Sequence, residues 1–170
     1  DCQIYRLAKD CIKQKQIEIN LEKNIMINMI KVGVIGYGYW GPNIVRNFNS
    51  ADGSKVTLIC DSSQNALKRA GKAYPHIGLT TNWQDVMSSP DIDVVAVITP
   101  VSTHFELAKN ALQNGKHVFV EKPLTATVAQ AEELIELAEK RNLKIMVDHT
   151  YIFTGAVRKM KQLIDDGMLG

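Results

Sequence analysis

Residues 30–42 read Ile-Lys-Val-Gly-Val-Ile-Gly-Tyr-Gly-Tyr-Trp-Gly-Pro, and this stretch decides the fold. The apolar run over residues 32–35 predicts a buried strand. It leads directly into three glycines spaced Gly-x-Gly-x-x-Gly, namely Gly36, Gly38 and Gly41. In such a turn the first glycine permits a tight bend, the second lets a pyrophosphate approach the backbone, and the third lets the next helix pack close to the sheet. The pattern is typical of a dinucleotide-binding turn.

An acidic residue stands where such a turn requires one. Asp61 ends a second apolar run, residues 55–60, about 20 residues after the last glycine. Its carboxylate can accept hydrogen bonds from the ribose hydroxyls of NAD, whereas it would repel the 2′-phosphate of NADP. We therefore expect NAD as the cofactor, with NADP disfavoured. Alternatively, Asp61 caps the following helix, and it can do both. Lys68 and Arg69, further along that helix, are expected to be solvated.

The rest of the chain alternates short apolar runs with amphipathic segments. We predict strands over residues 31–35, 56–60, 77–79, 94–98, 117–120 and 144–147. We predict helices over residues 41–48, 63–74, 83–87, 128–141 and 156–166, and one capped by Ser102 or Thr103 that ends near residues 114–115. This alternation predicts an α/β fold, a doubly wound parallel sheet of the Rossmann type with helices on both faces. Ligands of such sheets bind beyond the carboxyl ends of the strands.

The composition is typical of one globular domain. The 170 residues are 45% hydrophobic and 22% charged, with a formal net charge of +2 and no basic stripe, so we expect no nucleic-acid partner. The three cysteines, Cys2, Cys11 and Cys60, have neither metal-ligand spacing nor an even count, so we expect no metal and no disulfide framework. No stretch suits a membrane span or a signal peptide, which favours a cytoplasmic protein without a membrane partner.

Residues 1–29 are rich in Ile, Lys, Gln and Asn and contain no clear strand. They could form a helix, with Leu7 and Cys11 on one face. They could equally be a linker, the tail of a preceding segment, or residues upstream of a start at Met26 or Met29. The sequence leaves these alternatives open.

A second polar cluster, Glu121-Lys122-Pro123, directly follows the predicted fifth strand. Charged residues are costly beside a buried strand unless they are solvated or used. Lys122 would project toward the expected position of the nicotinamide ring, where it could orient a substrate hydroxyl or lower the pKa of that hydroxyl. Alternatively, the cluster is a surface turn with a solvated lysine. Pro123 fixes the backbone and can adopt a cis peptide bond.

Three aromatic residues, Tyr37, Tyr39 and Trp40, border the glycine turn. Stacking on the bases of a nucleic acid would call for an accompanying basic stripe, which the sequence lacks. We therefore expect these residues to pack around the mouth of the cofactor site. His117, at the start of a predicted strand and far from the carboxyl ends, is expected to be structural.

From residue 30 to the C-terminus the chain resembles the N-terminal half of the glucose–fructose oxidoreductase / inositol dehydrogenase / MocA family. The matching residues are Val34-Ile-Gly-Tyr-Gly-Tyr-Trp-Gly, Thr99-Pro100 with His104, and Glu121-Lys122-Pro123. The resemblance implies a nicotinamide-dependent oxidoreductase that moves hydride between NAD and a hydroxyl carbon of a sugar, nucleotide sugar or cyclitol. It also implies that Lys122 acts at the nicotinamide, in substrate binding and proton handling. Thr99, Pro100 and Glu121 would line the cofactor, with His104 nearby.

Members of this family continue into a second α/β domain, which supplies an Asp-x-x-x-His pair and usually the oligomer interface. The resemblance thus implies a Rossmann domain over residues 30–150, the start of a truncated substrate domain over residues 151–170, and a homo-oligomer for a full-length form. Asp148 and His149 should not be mistaken for the missing pair. The alternative is a non-catalytic nucleotide-binding module, or a truncated gene product, that binds NAD(P) without turnover.

Overall fold

The computed structural model describes residues 29–168, so the helix or linker predicted for residues 1–28, with Cys2 and Cys11, lies outside the described residues. The strands of this part are β1 Ile30–Ile35, β2 Ser54–Cys60, β3 Gly78–Thr80, β4 Val94–Val97, β5 His117–Val120 and β6 Ile145–Val147. Its α-helices are α1 Gly41–Ser50, α2 Gln64–Ala73, α3 Trp83–Ser88, α4 Val101–Gln113, α5 Val128–Lys140 and α6 Gly155–Asp165. A short 3-10 helix over Thr150–Phe153, which the sequence analysis does not predict, precedes α6.

All six strands form one sheet in the order β3-β2-β1-β4-β5-β6, and every pairing is parallel. This confirms the predicted doubly wound Rossmann fold. The strand order reverses between β1 and β4, because the chain winds outward from β1 in one direction and then returns to its other side. In sheets of this kind, the crevice at the reversal binds the ligand.

The alternation of side chains along the strands divides the core into two layers. Val34, Ile59 and Ala96 pack on one face with apolar residues of α1 and α2. Ile35 and Val97 point to the other face and pack with residues of α3, α4 and α5. Both faces of the sheet are thus covered, and its carboxyl edge is left as the place where loops can reach a ligand.

The start of α4 corrects a prediction. The helix begins at Val101, with Pro100 at the N-cap position and no side-chain cap, so neither Ser102 nor Thr103 is the cap. Pro100 is already extended, and the N–H of Thr103 closes the first turn onto the Pro100 carbonyl at 2.9 Å. Ser102 and Thr103 therefore lie inside the first turn. The Thr103 hydroxyl lies 2.7 Å from the Thr99 hydroxyl, which fixes the segment that enters the helix.

A buried lysine anchors the connection between α3 and β4. Lys116 is 5% exposed, and its ammonium donates to the carbonyls of Ser89 at 2.6 Å and Ile92 at 2.8 Å. A buried polar group without a partner is costly, so both carbonyls depend on this one donor. The contact holds α3, which begins at Trp83, in place against the sheet.

Lys116→Met is expected to lower the free energy of unfolding by about 1–3 kcal/mol, because it leaves the buried carbonyl of Ile92 and the partly buried carbonyl of Ser89 without their donor. Denaturant unfolding measures the change. Lys144→Met, at an exposed lysine, is the matched control and should stay within about 0.5 kcal/mol of the wild type. Equal effects of the two substitutions would contradict the anchoring role.

Candidate functional site

The three glycines of the first turn have different surroundings. Gly36 has a φ of +103°, and a Cβ there would lie 2.3 Å from the Ile98 carbonyl oxygen. A Cβ on Gly41 would lie 2.5 Å from the Gly36 carbonyl oxygen, so α1 packs directly on the turn. A Cβ on Gly38 would meet no atom within 4 Å. Gly36 and Gly41 thus build the turn, and Gly38 leaves an open backbone surface.

The N-terminus of α1 is suited to binding an anion. Trp40 occupies the N-cap position, its side chain makes no capping hydrogen bond, and the first turn carries no acidic side chain. Pro42 in the first turn has no N–H of its own to satisfy. The helix therefore presents its N-terminal partial positive charge to the open side of the turn, an arrangement that suits a pyrophosphate.

Asp61 connects the end of β2 to the glycine turn. One carboxylate oxygen accepts a hydrogen bond from the Tyr37 N–H at 2.6 Å, and the other accepts from the Ser63 N–H at 2.7 Å. The alternative that Asp61 caps α2 is wrong, because Ser63 is the N-cap and accepts from the Ala66 N–H. Each carboxylate oxygen has two lone-pair sites, so Asp61 retains the capacity to accept ribose hydroxyls.

The residues around the turn do not all lie where the sequence predicts. Arg69 is exposed, in agreement with the prediction that it is solvated, and its guanidinium also donates to the Tyr37 carbonyl at 3.3 Å. The Tyr37 side chain is 3% exposed and packs in the core with α1 and α2, and this burial raises its pKa. Tyr39 and Trp40 are exposed beside the turn, in edge-to-face contact with ring centroids 5.3 Å apart. Tyr37 therefore borders the turn through its backbone, whereas the rings of Tyr39 and Trp40 are exposed to solvent.

A cleft of about 590 Å³ lies at the carboxyl ends of β1, β2 and β4. This volume is in the range of small-molecule sites. The predicted site residues that line it are Gly36, Gly38, Asp61, Thr99 and Pro100. Polar and apolar residues that the sequence analysis does not name as site residues complete its walls: Ser62, Thr81, Trp83, Ser102, Thr103, Glu106 and Leu107. Thr81 and Trp83 could have been predicted from the sequence, because they follow β3 and ligands bind beyond the carboxyl ends of such strands.

Cys60 lines the cleft next to Asp61 and is 3% exposed. Burial raises the pKa of its thiol to about 11, with a smaller contribution from the Asp61 charge. The thiol therefore stays neutral and is a poor nucleophile. Its role is therefore structural, as a small buried side chain of the core.

The Glu121-Lys122-Pro123 segment leaves the same edge of the sheet, because β5 pairs with β4 and Val120 lies opposite Val97. Glu121 is 9% exposed, and its carboxylate accepts from the Lys122 N–H at 3.1 Å. The Lys122–Pro123 peptide bond is cis. Lys122 is exposed and, among residues 29–168, forms no salt bridge. This segment lies outside the lining of the 590 Å³ cleft.

His104 lies on α4, between the two segments that follow β4 and β5. It is 1% exposed, with Nε2 2.7 Å from the Thr99 carbonyl oxygen and Nδ1 2.9 Å from the Pro123 carbonyl oxygen. Both ring nitrogens are thus engaged with the protein backbone. The resemblance implies that His104 lies near the cofactor. In the structure it lies between the Thr99 segment and the Pro123 segment and contacts a backbone carbonyl of each.

Other site types find little support in the described part of the chain. Residues 29–168 contain no group of three or more His, Cys, Asp or Glu side chains placed to hold a metal ion. Within the same range, every helix is too short or too polar to cross a bilayer. His117, predicted to be structural, accepts a hydrogen bond from the Lys144 N–H at 3.0 Å.

The fold and the glycine turn define a dinucleotide-binding domain, and comparison with known proteins gives its family. The family described as "Oxidoreductase family, NAD-binding Rossmann fold" (GFO_IDH_MocA) matches residues 30–149. The chain therefore belongs to the glucose–fructose oxidoreductase / inositol dehydrogenase / MocA family, which confirms the resemblance.

Its relatives include an uncharacterized oxidoreductase of Escherichia coli, YdgJ, which is 34% identical over 146 residues, 85% of this chain and 41% of the relative. Scyllo-inositol dehydrogenase from Lactobacillus casei, solved with NAD(H) and scyllo-inositol, matches with a TM-score of 0.76 and 28% identity, covering 84% of this chain and 42% of that one. Biliverdin reductase from Synechocystis, solved with biliverdin and NADP+, matches with a TM-score of 0.74 and 26% identity, covering 80% and 43%. The chain spans less than half the length of each of these proteins.

Asp61→Asn is expected to weaken NAD binding about tenfold or more, because hydrogen bonds to a charged acceptor are lost. It should weaken NADP binding less, since it also removes a negative charge near the 2′-phosphate. Isothermal titration with each dinucleotide measures the ratio of dissociation constants, which cancels any general distortion of the turn. Asp93→Asn is the control, because Asp93 also accepts a backbone N–H, from Lys31 in β1. An unchanged NAD/NADP ratio in Asp61→Asn would exclude Asp61 as the ribose ligand.

Proposed function

We propose that this chain is the cofactor-binding half of an oxidoreductase that moves hydride between NAD and a hydroxyl carbon of a sugar, nucleotide sugar or cyclitol. The observation that carries the proposal is the position of Lys122. It leaves β5 at the carboxyl edge, beside the segment after β4 that supplies Thr99 and Pro100 to the cleft. A lysine that forms no salt bridge in the described residues is available there for a substrate oxygen.

The residues of the cleft suit the parts of a dinucleotide. The open backbone at Gly38 and the uncapped start of α1 would hold the pyrophosphate. Asp61 would accept the hydroxyls of the adenosine ribose. When bound, the nicotinamide ring supplies a carbon that accepts or donates hydride. Thr99, Pro100 and the buried Glu121 would border that end of the site.

Lys122 would act on the substrate hydroxyl. Its ammonium can donate a hydrogen bond to the hydroxyl oxygen and, as a positive charge, favours the loss of the hydroxyl proton. The two remaining N–H donors and the flexible stem allow it to adapt to the oxygen, as a compact cation does. This chain would thus bind the dinucleotide and stabilise the negative charge that develops on the substrate hydroxyl oxygen.

The preference for NAD and the substrate class are part of the same proposal. Asp61 supports NAD, because a carboxylate would repel a 2′-phosphate. The L. casei relative, solved with NAD(H) and scyllo-inositol, supports a polyhydroxylated substrate. The Synechocystis relative was solved with NADP+ and biliverdin, so the family accommodates another cofactor and another substrate.

We also propose that residues 151–170 begin a substrate domain and that a full-length form is a homo-oligomer. Tyr151, Ile152 and Phe153 are each more than half exposed, although they are large and apolar. Such a patch is costly in water and is typical of surface that another domain or subunit covers.

The test is an assay of the product of the complete open reading frame with NAD+ and a panel of sugars, nucleotide sugars and cyclitols. Formation of NADH with at least one of them is expected. Binding of NAD without turnover of any of them would instead favour a non-catalytic nucleotide-binding module. Failure to bind either NAD or NADP would contradict both functions.

A further inference from the structure

We infer that His104 is a positioning residue, whose buried ring lies between the Lys122 segment and the Thr99 segment and holds them together through one contact with each. The inference rests on the proposed function of Lys122. It starts from the two contacts of the ring, at 2.7 Å to the Thr99 carbonyl and 2.9 Å to the Pro123 carbonyl. Together they connect the end of β4 to the loop after β5, above the ladder of the two strands.

The chemistry of the partners fixes the role of the ring. Carbonyl oxygens only accept hydrogen bonds, so in either tautomer of the ring the nitrogen that carries the proton can donate to the carbonyl it faces. The ring is 1% exposed, so water cannot replace a lost partner without an opening of the structure. The contact is therefore a built connection between two loops.

The connection determines where Lys122 lies. Pro123 follows Lys122 directly, and its carbonyl is held by His104, while the Lys122 N–H is held by the Glu121 carboxylate at 3.1 Å. Thr99, at the other end of the bridge, lines the cleft. A shift of His104 would therefore change the distance between Lys122 and a bound dinucleotide. A misplacement of about 1 Å at a reacting centre can cost on the order of 100-fold in rate.

The first experiment measures the bridge without any turnover. Ring-nitrogen NMR of the 15N-histidine-labelled chain, with His104 assigned by the loss of its signals in His104→Gln, should show a ring N–H that exchanges slowly with water. A ring proton that exchanges as fast as that of an exposed histidine would overturn the bridge. Hydrogen exchange of the Lys122 amide should become about tenfold faster or more in His104→Gln. Leu112→Val, a substitution in the buried part of α4 away from both segments, is the stability-matched control and should leave that amide unchanged.

The second experiment separates positioning from binding. In the product of the complete open reading frame, His104→Gln should lower kcat on the order of 100-fold and change the dissociation constant of NAD less than about threefold. Equal losses in kcat and NAD affinity, or the same kcat loss in Leu112→Val, would show a merely structural role. If the wild type binds NAD but turns over no substrate, the proposed function and the positioning of Lys122 for it both fail, while the NMR and exchange results still decide whether the bridge exists.

Discussion

The Gly38→Ala variant will fold as stably as the wild type and bind NAD about 10- to 100-fold more weakly. A Cβ at this position meets no protein atom within 4 Å, and the backbone there does not need a positive φ, so nothing in the fold opposes alanine. The methyl group instead occupies the surface on which the pyrophosphate is expected to lie. Forced overpacking costs about 1–3 kcal/mol, which corresponds to that loss of affinity. Thermal unfolding and isothermal titration measure the two quantities.

Two other glycines provide the controls for this experiment. Gly155→Ala adds a methyl group to open space at the start of α6 and should change neither stability nor affinity by much. Gly36→Ala should destabilise the fold itself, because its Cβ would lie 2.3 Å from the Ile98 carbonyl oxygen. If Gly38→Ala bound NAD as tightly as the wild type, the pyrophosphate would not lie on this turn.

Lys122→Met should spare dinucleotide binding and reduce kcat about 10²- to 10⁴-fold in the product of the complete open reading frame. A positioned acid–base or charge-stabilising group contributes a factor of this size. Methionine keeps the apolar length of the stem and removes the ammonium, so the change isolates the charge. Steady-state kinetics, together with a titration of the variant with NAD, gives both numbers.

Lys144→Met serves as the matched control. Lys144 is also exposed, but it directly precedes β6 and so lies at the amino ends of the strands, away from the site. It should leave kcat within about twofold of the wild type, as surface substitutions usually do. Normal turnover in Lys122→Met would rule out its catalytic role. If Lys122→Met also lost NAD affinity to the same extent, Lys122 would act in binding the cofactor and not in the chemical step.

The sequence predicts the architecture because its signals are local. The apolar runs of β1 and β4 are buried over residues 32–35 and 95–97, as the continuous hydrophobic pattern of a parallel strand requires. The positive φ of Gly36 and the close packing at Gly41 follow from their places in the motif. Asn142, the residue that follows the predicted helix over residues 128–141, has a φ of +54° just after α5. Each of these features depends on neighbours within one turn or one strand.

The features that the sequence does not predict depend on contacts between distant segments. The link from His104 to Pro123 spans 19 residues, and the bond from Tyr37 to Asp61 spans 24. Nothing in the local pattern of α4 says that both nitrogens of His104 meet carbonyls. The wall contributed by Glu106 and Leu107 likewise arises from the packing of α4 beside the sheet. The sequence alone thus indicates that the site lies at the carboxyl ends of the strands, but it does not identify most of the residues that line it.

A titration of the 170-residue chain with NAD+, followed by amide NMR or hydrogen exchange, tests most directly whether the cleft binds a dinucleotide. We expect saturable binding of one dinucleotide per chain. The amide signals or exchange rates should change most at Gly38, Ser63 and the start of α4, and little at β6. Saturable binding with changes elsewhere, or the absence of saturable binding of either NAD or NADP, would contradict the central claim that the cleft beside the glycine turn is a dinucleotide site.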